Sequence, residues 1–213
     1  MTAPEGQPVL LELSGVSKSF GDLPVIAEAN LKARGGRVLC LLGPSGVGKT
    51  TLLEIMAGLL RPDSGQVTAN APPSMLFQDN LLIPWLNALS NVAYILPKSL
   101  TPDEAKNRAL RWLGAFGLDP AKYPRALSGG MKRRLALARA LAADRPVLIL
   151  DEPFAFLDDR WHELIATLVA EQAQSGHAVV ISGHFVPERL SALLPDRLDL
   201  IAVPSQPIGV SLP

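Results

Sequence analysis

The sequence predicts an α/β fold built on a mostly parallel sheet, and three observations support this prediction. Four short apolar runs, at residues 37–42, 147–150, 178–181 and 198–203, are typical of buried strands. Segments with a helical pattern alternate with these runs, as in a chain of β–α units. From about Leu81 to Ala143 the pattern becomes helical, which indicates a helical subdomain inserted into the α/β core.

The first part of the chain contains two more candidate strands and a helix. Val9–Leu13 alternates weakly between apolar and polar residues, and Ser74–Phe77 is a short apolar segment. A helix is predicted over residues 48–60, because Pro62 and Gly65 follow it and five apolar residues lie on one side of it. Those five residues are Leu52, Leu53, Ile55, Met56 and Leu59.

The helical segment carries two start signals. Pro102-Asp103-Glu104 is predicted to begin one helix, and Ser128 is placed to cap another. We interpret the basic run at residues 132–134 as a solvated helix face, and we expect His162 and His177, which belong to no motif, at the surface.

Composition limits the classes of function. The 213 residues suffice for one domain, and 48% hydrophobic against 19% charged residues supports a sizeable core. The 20 basic and 20 acidic side chains balance, which disfavours nucleic acid as a partner because neutralising phosphates requires clustered excess Lys and Arg. No run of about 18 apolar residues occurs, so we expect any connection with a membrane to run through a partner. Cys40, inside an apolar run, is expected to be a buried core residue.

A glycine-rich motif follows the apolar run at residues 37–42. Residues 43–50 read Gly-Pro-Ser-Gly-Val-Gly-Lys-Thr and match the phosphate-loop pattern G-x-x-x-x-G-K-[ST]. Glycines let backbone N–H groups turn towards phosphate oxygens, and the following helix adds its dipole. Lys49 supplies a charge for the β- and γ-phosphates, and Thr50 offers a hydroxyl to Mg²⁺. The context of strand, loop and helix predicts a P-loop NTPase core whose nucleotide-binding residues are Gly43, Pro44, Ser45, Gly46, Val47, Gly48, Lys49, Thr50 and Thr51.

Two carboxylates, Asp151 and Glu152, follow the apolar run at residues 147–150. Ligands of doubly wound folds bind at the carboxyl ends of the strands. There Asp151 can hold Mg²⁺, directly or through water, and Glu152 can act as general base on the attacking water, an effect of about 10²–10⁴-fold. The alternative is an acidic turn that caps the next element, and the upstream phosphate loop favours the catalytic interpretation.

The segment Leu127-Ser128-Gly129-Gly130-Met131 lies between these two motifs. A phosphate loop, then LSGG, then an apolar strand ending in Asp-Glu resembles the ABC ATPase family over about residues 9–203. The resemblance implies one ABC ATPase domain over residues 1–213. Residues 9–80 and 145–203 would form the nucleotide-binding core with a small antiparallel β-subdomain, and residues 81–144 the helical subdomain.

Ser128 as an N-cap, followed by two glycines, exposes N–H groups that suit an anion. In the family, Ser128, Gly129 and Gly130 face the γ-phosphate held by the other protomer. The resemblance therefore implies a head-to-tail dimer, of two copies or of paired ATPase subunits, with two ATP molecules between the protomers.

Four further residues match family landmarks. Phe20 would stack on adenine, or alternatively fill the core. Gln78 would sense Mg²⁺ and the membrane partner, or be a solvated loop amide, so the implied metal set is Thr50, Gln78 and Asp151. Asp158 matches the D-loop. His184 would contact the γ-phosphate and assist catalysis with Glu152, or be a structural histidine at a strand end.

Three features depart from the common family pattern. Met131 stands where the family most often has Gln. This residue and the segment Leu81–Trp85 resemble the corresponding positions of importers of nitrate, sulfonate, taurine or thiamine precursors. Gly183 and Phe185 stand where Thr and Asp are usual. The span from Lys49 to Gln78 is short, so a trimmed β-subdomain is expected.

The implied function is the ATP-hydrolysing motor subunit of an ABC transporter, with ATP and Mg²⁺ as cofactors. It would power import of a small organic or inorganic anion or vitamin precursor. The implied partners are transmembrane permease subunits and a solute-binding protein, and the implied location is peripheral, on the cytoplasmic face of the inner membrane. Leu81, Leu82, Ile83 and Trp85 would line the permease docking groove, or belong to the core of the helical subdomain. Alternative functions are a soluble non-transport ABC ATPase and a regulatory nucleotide-binding module.

Overall fold

The computed structural model describes residues 7–194 and the backbone of residues 198–202. Eight strands and six α-helices alternate along this part of the chain. The strands are β1 (Val9–Phe20), β2 (Leu23–Arg34), β3 (Val38–Leu42), β4 (Ser64–Ala69), β5 (Ser74–Leu76), β6 (Val147–Leu150), β7 (Ala178–Gly183) and β8 (Leu198–Ala202). The helices are α1 (Lys49–Met56), α2 (Ala88–Ala93), α3 (Pro102–Ala115), α4 (Gly129–Ala142), α5 (Asp159–Gln174) and α6 (Glu188–Leu193).

The predicted α/β core is confirmed. Five strands form one sheet in the order β5-β6-β7-β3-β8, and β3 pairs in parallel with both β7 and β8. Strand β6 coincides with the predicted run and is buried along its whole length, as expected for a parallel strand covered on both faces. Cys40 lies buried in β3 and is 2% exposed.

The small antiparallel sheet expected from the family resemblance is also present, in the order β2-β1-β4. Strand β1 is longer than the predicted Val9–Leu13 and continues to Phe20. The strands β2 and β4 are absent from the predicted elements. In β4 only Val67 is even partly buried, so this strand lacks the apolar run by which a buried strand is recognised.

Helix α1 is shorter than predicted. Leu52, Leu53, Ile55 and Met56 are buried as expected, but Leu59 is 60% exposed, so its assignment to the apolar side was wrong. The helix gives way to a turn at Gly58, which has φ +72°, a left-handed conformation that ends helices.

The predicted helix starts in the inserted segment are confirmed. Thr101 accepts from the Glu104 amide and Glu104 reaches back to Thr101, a capping box at the start of α3. The Ser128 hydroxyl accepts a hydrogen bond of 3.3 Å from the Met131 amide at the start of α4.

Three polar residues are less exposed than predicted. Arg133, assigned to a solvated face, is 2% exposed, and its buried guanidinium donates to backbone carbonyls. His162 and His177, expected at the surface, are half-buried. Nε2 of His162 is hydrogen-bonded to the Phe154 carbonyl oxygen at 2.7 Å, and Nδ1 of His177 to the Gln172 carbonyl oxygen at 3.1 Å. These hydrogen bonds compensate for part of the cost of burial in each case.

The chain forms two compact units. One contains the residues up to Met75, Arg145–Phe154 and the residues from Asp159 onward, and the other contains Leu76–Asp144 and Ala155–Asp158. We call them the sheet unit and the helical unit. Within the part of the chain that the structure describes, no helix combines the length and apolar character needed to cross a membrane.

Candidate functional site

The glycine-rich loop joins β3 to α1 in the sheet unit. Gly48 has φ +95°, a conformation that side chains rarely adopt. A Cβ there would lie 2.8 Å from Cγ1 of Val25 and 3.1 Å from Cδ1 of Ile26. Strand β2 therefore packs against this turn so closely that only glycine fits, and the turn directs the first residues of α1.

Lys49 is the first residue of α1 and is 5% exposed. Its ammonium donates to the carbonyl oxygens of Gly43 and Pro44, at 2.7 and 2.8 Å. The ammonium is thus already ordered within the loop, so binding a phosphate there would cost little side-chain conformational entropy. Thr50 and Thr51 follow in the first turn of the helix.

Thr50 and Asp151 meet although they lie far apart in sequence. The Thr50 hydroxyl donates to Oδ2 of Asp151 at 2.8 Å, and Asp151 is 1% exposed. A hydroxyl and a carboxylate side by side form the oxygen-only donor set that Mg²⁺ prefers. These two residues therefore fit the ion that the sequence predicts.

Ser182, in β7, connects the two acids. Its hydroxyl donates to Oδ1 of Asp151 and accepts a 2.9 Å hydrogen bond from the Glu152 amide. Ser182 is fully buried. Sequence reasoning missed it, although a serine at the end of an otherwise apolar strand is a usable signal of a buried polar contact.

Glu152 has φ +48°, which is uncommon for a residue with a side chain. Its Oε1 lies 3.8 Å from Nε2 of His184, which follows the end of β7. The Glu152 side chain is 22% exposed and that of His184 is 53% exposed, so both groups can reach a ligand. The left-handed backbone of Glu152 ends the extended conformation directly after β6, and the carboxylate lies near His184.

Phe20, at the end of β1, is 52% exposed, which excludes the core-filling alternative. The Lys18 ammonium lies 5.7 Å from the ring centroid and 2.6 Å from Oδ1 of Asp63. The hydrogen bond from Lys18, together with one from the Ser19 amide, holds the pKa of the Asp63 carboxyl below its usual value. These bonds fix the end of the strand, so the Phe20 ring is presented to solvent as a flat apolar surface.

The other predicted residues lie in the helical unit. Gly129 and Gly130 begin α4 behind the Ser128 cap, and a Cβ on Gly130 would lie 3.7 Å from the Phe156 carbonyl oxygen. The segment that ends in Asp158 therefore passes beside the LSGG segment. The Gln78 side chain is exposed, and its backbone carbonyl accepts from Arg133 at 3.0 Å.

The sheet unit thus brings together the loop at residues 43–50, Asp151, Glu152 and His184. A glycine loop between a strand and a helix, with a threonine facing an aspartate from another strand end, defines the P-loop nucleotide-binding class of protein. The profile of the ABC transporter family matches residues 26–155. The chain belongs to this family.

Two importer subunits are among the proteins that the chain resembles in sequence. The chain is 41% identical over 196 residues to the aliphatic sulfonates import ATP-binding protein SsuB 3 of Paraburkholderia xenovorans, covering 90% of the chain and 76% of that protein. It is 38% identical over 207 residues to the taurine import ATP-binding protein TauB of Pseudomonas putida, covering 91% of the chain and 78% of the relative.

Solved structures agree with the fold. The ATP-binding cassette MJ0796, in a dimeric post-hydrolysis state bound to ADP and Pi, matches with a TM-score of 0.81 and 27% identity. The match covers 93% of this chain and 96% of that one.

Proposed function

We propose that the chain is the ATP-hydrolysing motor subunit of an ABC importer. The observation that carries the proposal is the connected set Thr50, Asp151, Ser182 and Glu152 beside the phosphate loop. This set joins a metal-binding pair to a carboxylate that can act on water. The similar import ATP-binding proteins support the same function.

The loop and α1 bind the phosphates of ATP, through backbone N–H groups, the helix dipole and the Lys49 ammonium. Thr50 and Asp151, with Gln78 as a further proposed ligand, would hold Mg²⁺, which would neutralise part of the charge of the phosphates. Phe20 is proposed to stack on adenine.

Glu152 is proposed to orient the attacking water and take its proton, as a general base does. Ser182 keeps the backbone of Glu152 in place, because its hydroxyl accepts from the Glu152 amide. His184 is proposed to contact the γ-phosphate, and its 3.8 Å approach to Glu152 places both groups on the same side of the site.

The site is proposed to be completed by a second protomer. Ser128, Gly129 and Gly130 carry the amide groups at the start of α4, which suit the γ-phosphate of the other protomer's ATP. Asp158, beside this segment, would lie at the same interface. The dimeric states of MJ0796 support this arrangement.

The proposed partners are permease subunits in the inner membrane, with a solute-binding protein, and the chain would lie on the cytoplasmic face. Leu81 and Trp85 are 57% and 76% exposed, which favours the docking interpretation over the core interpretation for these two residues. The named relatives import sulfonates and taurine, so a small sulfonated or related organic anion is the proposed solute.

The Glu152→Gln variant tests the proposal. It should bind ATP with Mg²⁺ as the wild type does, release phosphate at least about 100-fold more slowly, and accumulate a dimer in sedimentation experiments. Normal phosphate release by this variant would remove Glu152 from its role. A variant that turns over slowly but stays monomeric with ATP would contradict the proposed dimer.

A further inference from the structure

Residues 77–87 connect β5 to α2 without forming a helix or a strand. We call them the connecting segment. It carries Gln78 and the exposed side chains of Leu81 and Trp85. Irregular backbone of this kind is normally the mobile part of a fold, unless other groups satisfy its carbonyls and amides.

Arg133 holds the beginning of the connecting segment. Its Nη1 donates to the carbonyl oxygens of Phe77 and Gln78, at 2.6 and 3.0 Å. The side chain is 2% exposed. A buried guanidinium is costly unless its N–H groups are paired, so these bonds tie the segment to α4 in a single geometry.

Arg139 holds the next part. Its Nη1 donates to the Leu81 carbonyl at 2.8 Å and its Nη2 to the Asn80 carbonyl at 3.0 Å. Partial burial lowers the pKa of this guanidinium from its usual value. Leu81 has φ +42°, a conformation that persists only where surrounding contacts determine it, and the Arg139 bond is such a contact.

The spacing of the two arginines fits the segment. They are six residues apart on α4, which corresponds to about 9 Å along a helix. The carbonyl pairs that they bind begin three residues apart, which corresponds to about 10 Å of extended chain. The segment therefore runs alongside α4 over residues 77–81 and is attached at both ends of that stretch.

Asn91, in α2, fixes the remainder. Its Nδ2 donates to the carbonyls of Ile83, Leu86 and Asn87, at 3.1, 2.9 and 3.1 Å, and its Oδ1 accepts from the Ile83 amide at 2.8 Å. The side chain is fully buried. The turn that presents Trp85 is thus also held by side-chain contacts from a helix.

We propose that Arg133 and Arg139 are positioning residues that attach the connecting segment to α4, so that force received at Leu81 and Trp85 reaches Ser128-Gly129-Gly130 as a rigid-body movement. These three residues lie at the N-terminal end of α4, and Ser128 is five residues before Arg133. The inference rests on the proposed function, which assigns permease docking to Leu81 and Trp85 and contact with the partner's ATP to Ser128-Gly129-Gly130.

The first test is hydrogen–deuterium exchange of the full chain carrying Glu152→Gln, with and without Mg-ATP. With both arginines intact, ATP should slow amide exchange at residues 128–131 and also at residues 77–81. In Arg133→Lys/Arg139→Lys, the side chains keep the charge but are one bond shorter to the terminal nitrogen and lack the planar guanidinium that places N–H groups at these carbonyls. Exchange at residues 77–81 should then rise about tenfold without ATP, and ATP should slow it at residues 128–131 only.

The control is Arg111→Lys, at an exposed position of α3 in the same unit, which should leave both segments within about twofold of the parent. Equal ATP protection of residues 77–81 in the double variant would overturn the inference, as would absence of that protection in the parent. Absence of protection at residues 128–131 in the parent would instead refute the proposed dimer. Should the double variant fail to fold, Arg139→Lys alone provides the same comparison.

A second readout separates positioning from a general structural defect. In vesicles containing the permease subunits that copurify with the chain, where solute transport and ATP hydrolysis are both measured, the double variant should move about tenfold less solute per ATP hydrolysed. A parallel loss of both activities would indicate a structural role only and overturn the inference.

Discussion

Ser182→Ala is the substitution for which the structure gives the clearest magnitude. The Ser182 hydroxyl makes two hydrogen bonds, one to the Asp151 carboxylate and one from the Glu152 amide. Alanine removes both and leaves the site buried. A hydrogen bond to a charged group contributes about 1.5–3 kcal/mol and a neutral one about 0.5–1.5 kcal/mol, so the free energy of unfolding should fall by roughly 2–4 kcal/mol.

For a chain of this size, a loss of 1 kcal/mol lowers Tm by about 2–4 °C, so Tm should fall by roughly 5–15 °C. Activity should fall as well. The conformation of Glu152 at φ +48° is of a kind that costs about 1–3 kcal/mol and needs surrounding contacts to persist. Without the Ser182 contact the carboxylate moves from its position, and kcat should decrease at least about tenfold. The KM for ATP should stay within about threefold because the phosphate loop is untouched.

The assays are thermal unfolding followed by circular dichroism and steady-state phosphate release at a temperature where the variant is folded. Thr167→Ala is the matched control, because its hydroxyl donates to the Glu163 carbonyl at 2.9 Å on α5, outside the site. It should change Tm by less than about 2 °C and leave kcat unchanged. A Ser182→Ala protein with the Tm and kcat of the wild type would refute the reasoning.

Three further predictions concern ATP binding and permease docking. Lys49→Ala should weaken ATP binding at least about 100-fold in a fluorescent-nucleotide titration, because it removes the buried charge held in the loop, and an unchanged affinity would contradict the phosphate-loop assignment. Phe20→Ala should weaken ATP binding about tenfold by loss of base stacking, while competition by inorganic tripolyphosphate stays the same; an equal loss for both ligands would exclude stacking. Trp85→Ser should reduce copurification of permease subunits and keep basal phosphate release within about twofold, whereas Tyr94→Ser, also exposed in the helical unit, should do neither. Normal copurification of the Trp85 variant would remove that residue from the docking surface.

The strands that the sequence predicted well are the buried ones. β6 coincides with its predicted run, because a strand covered on both faces needs an unbroken apolar segment. β4 was missed because its side chains are mostly exposed and only its backbone pairing with β1 makes it a strand. Leu59 was assigned wrongly because apolar periodicity does not show where a helix ends, and α1 ends before Leu59, at the turn that contains Gly58.

The sequence by itself determined the phosphate loop and the helix caps. These are local features, in which a few adjacent residues set the backbone angles and supply the hydrogen bonds. Only the tertiary structure decided that Thr50 meets an aspartate 101 residues away, and that Ser182 joins this aspartate to Glu152. It also decided that Arg133 points inward to bind carbonyls. A polar side chain is buried or solvated according to the backbone groups that distant elements place beside it, and that placement is not written in its neighbours along the chain.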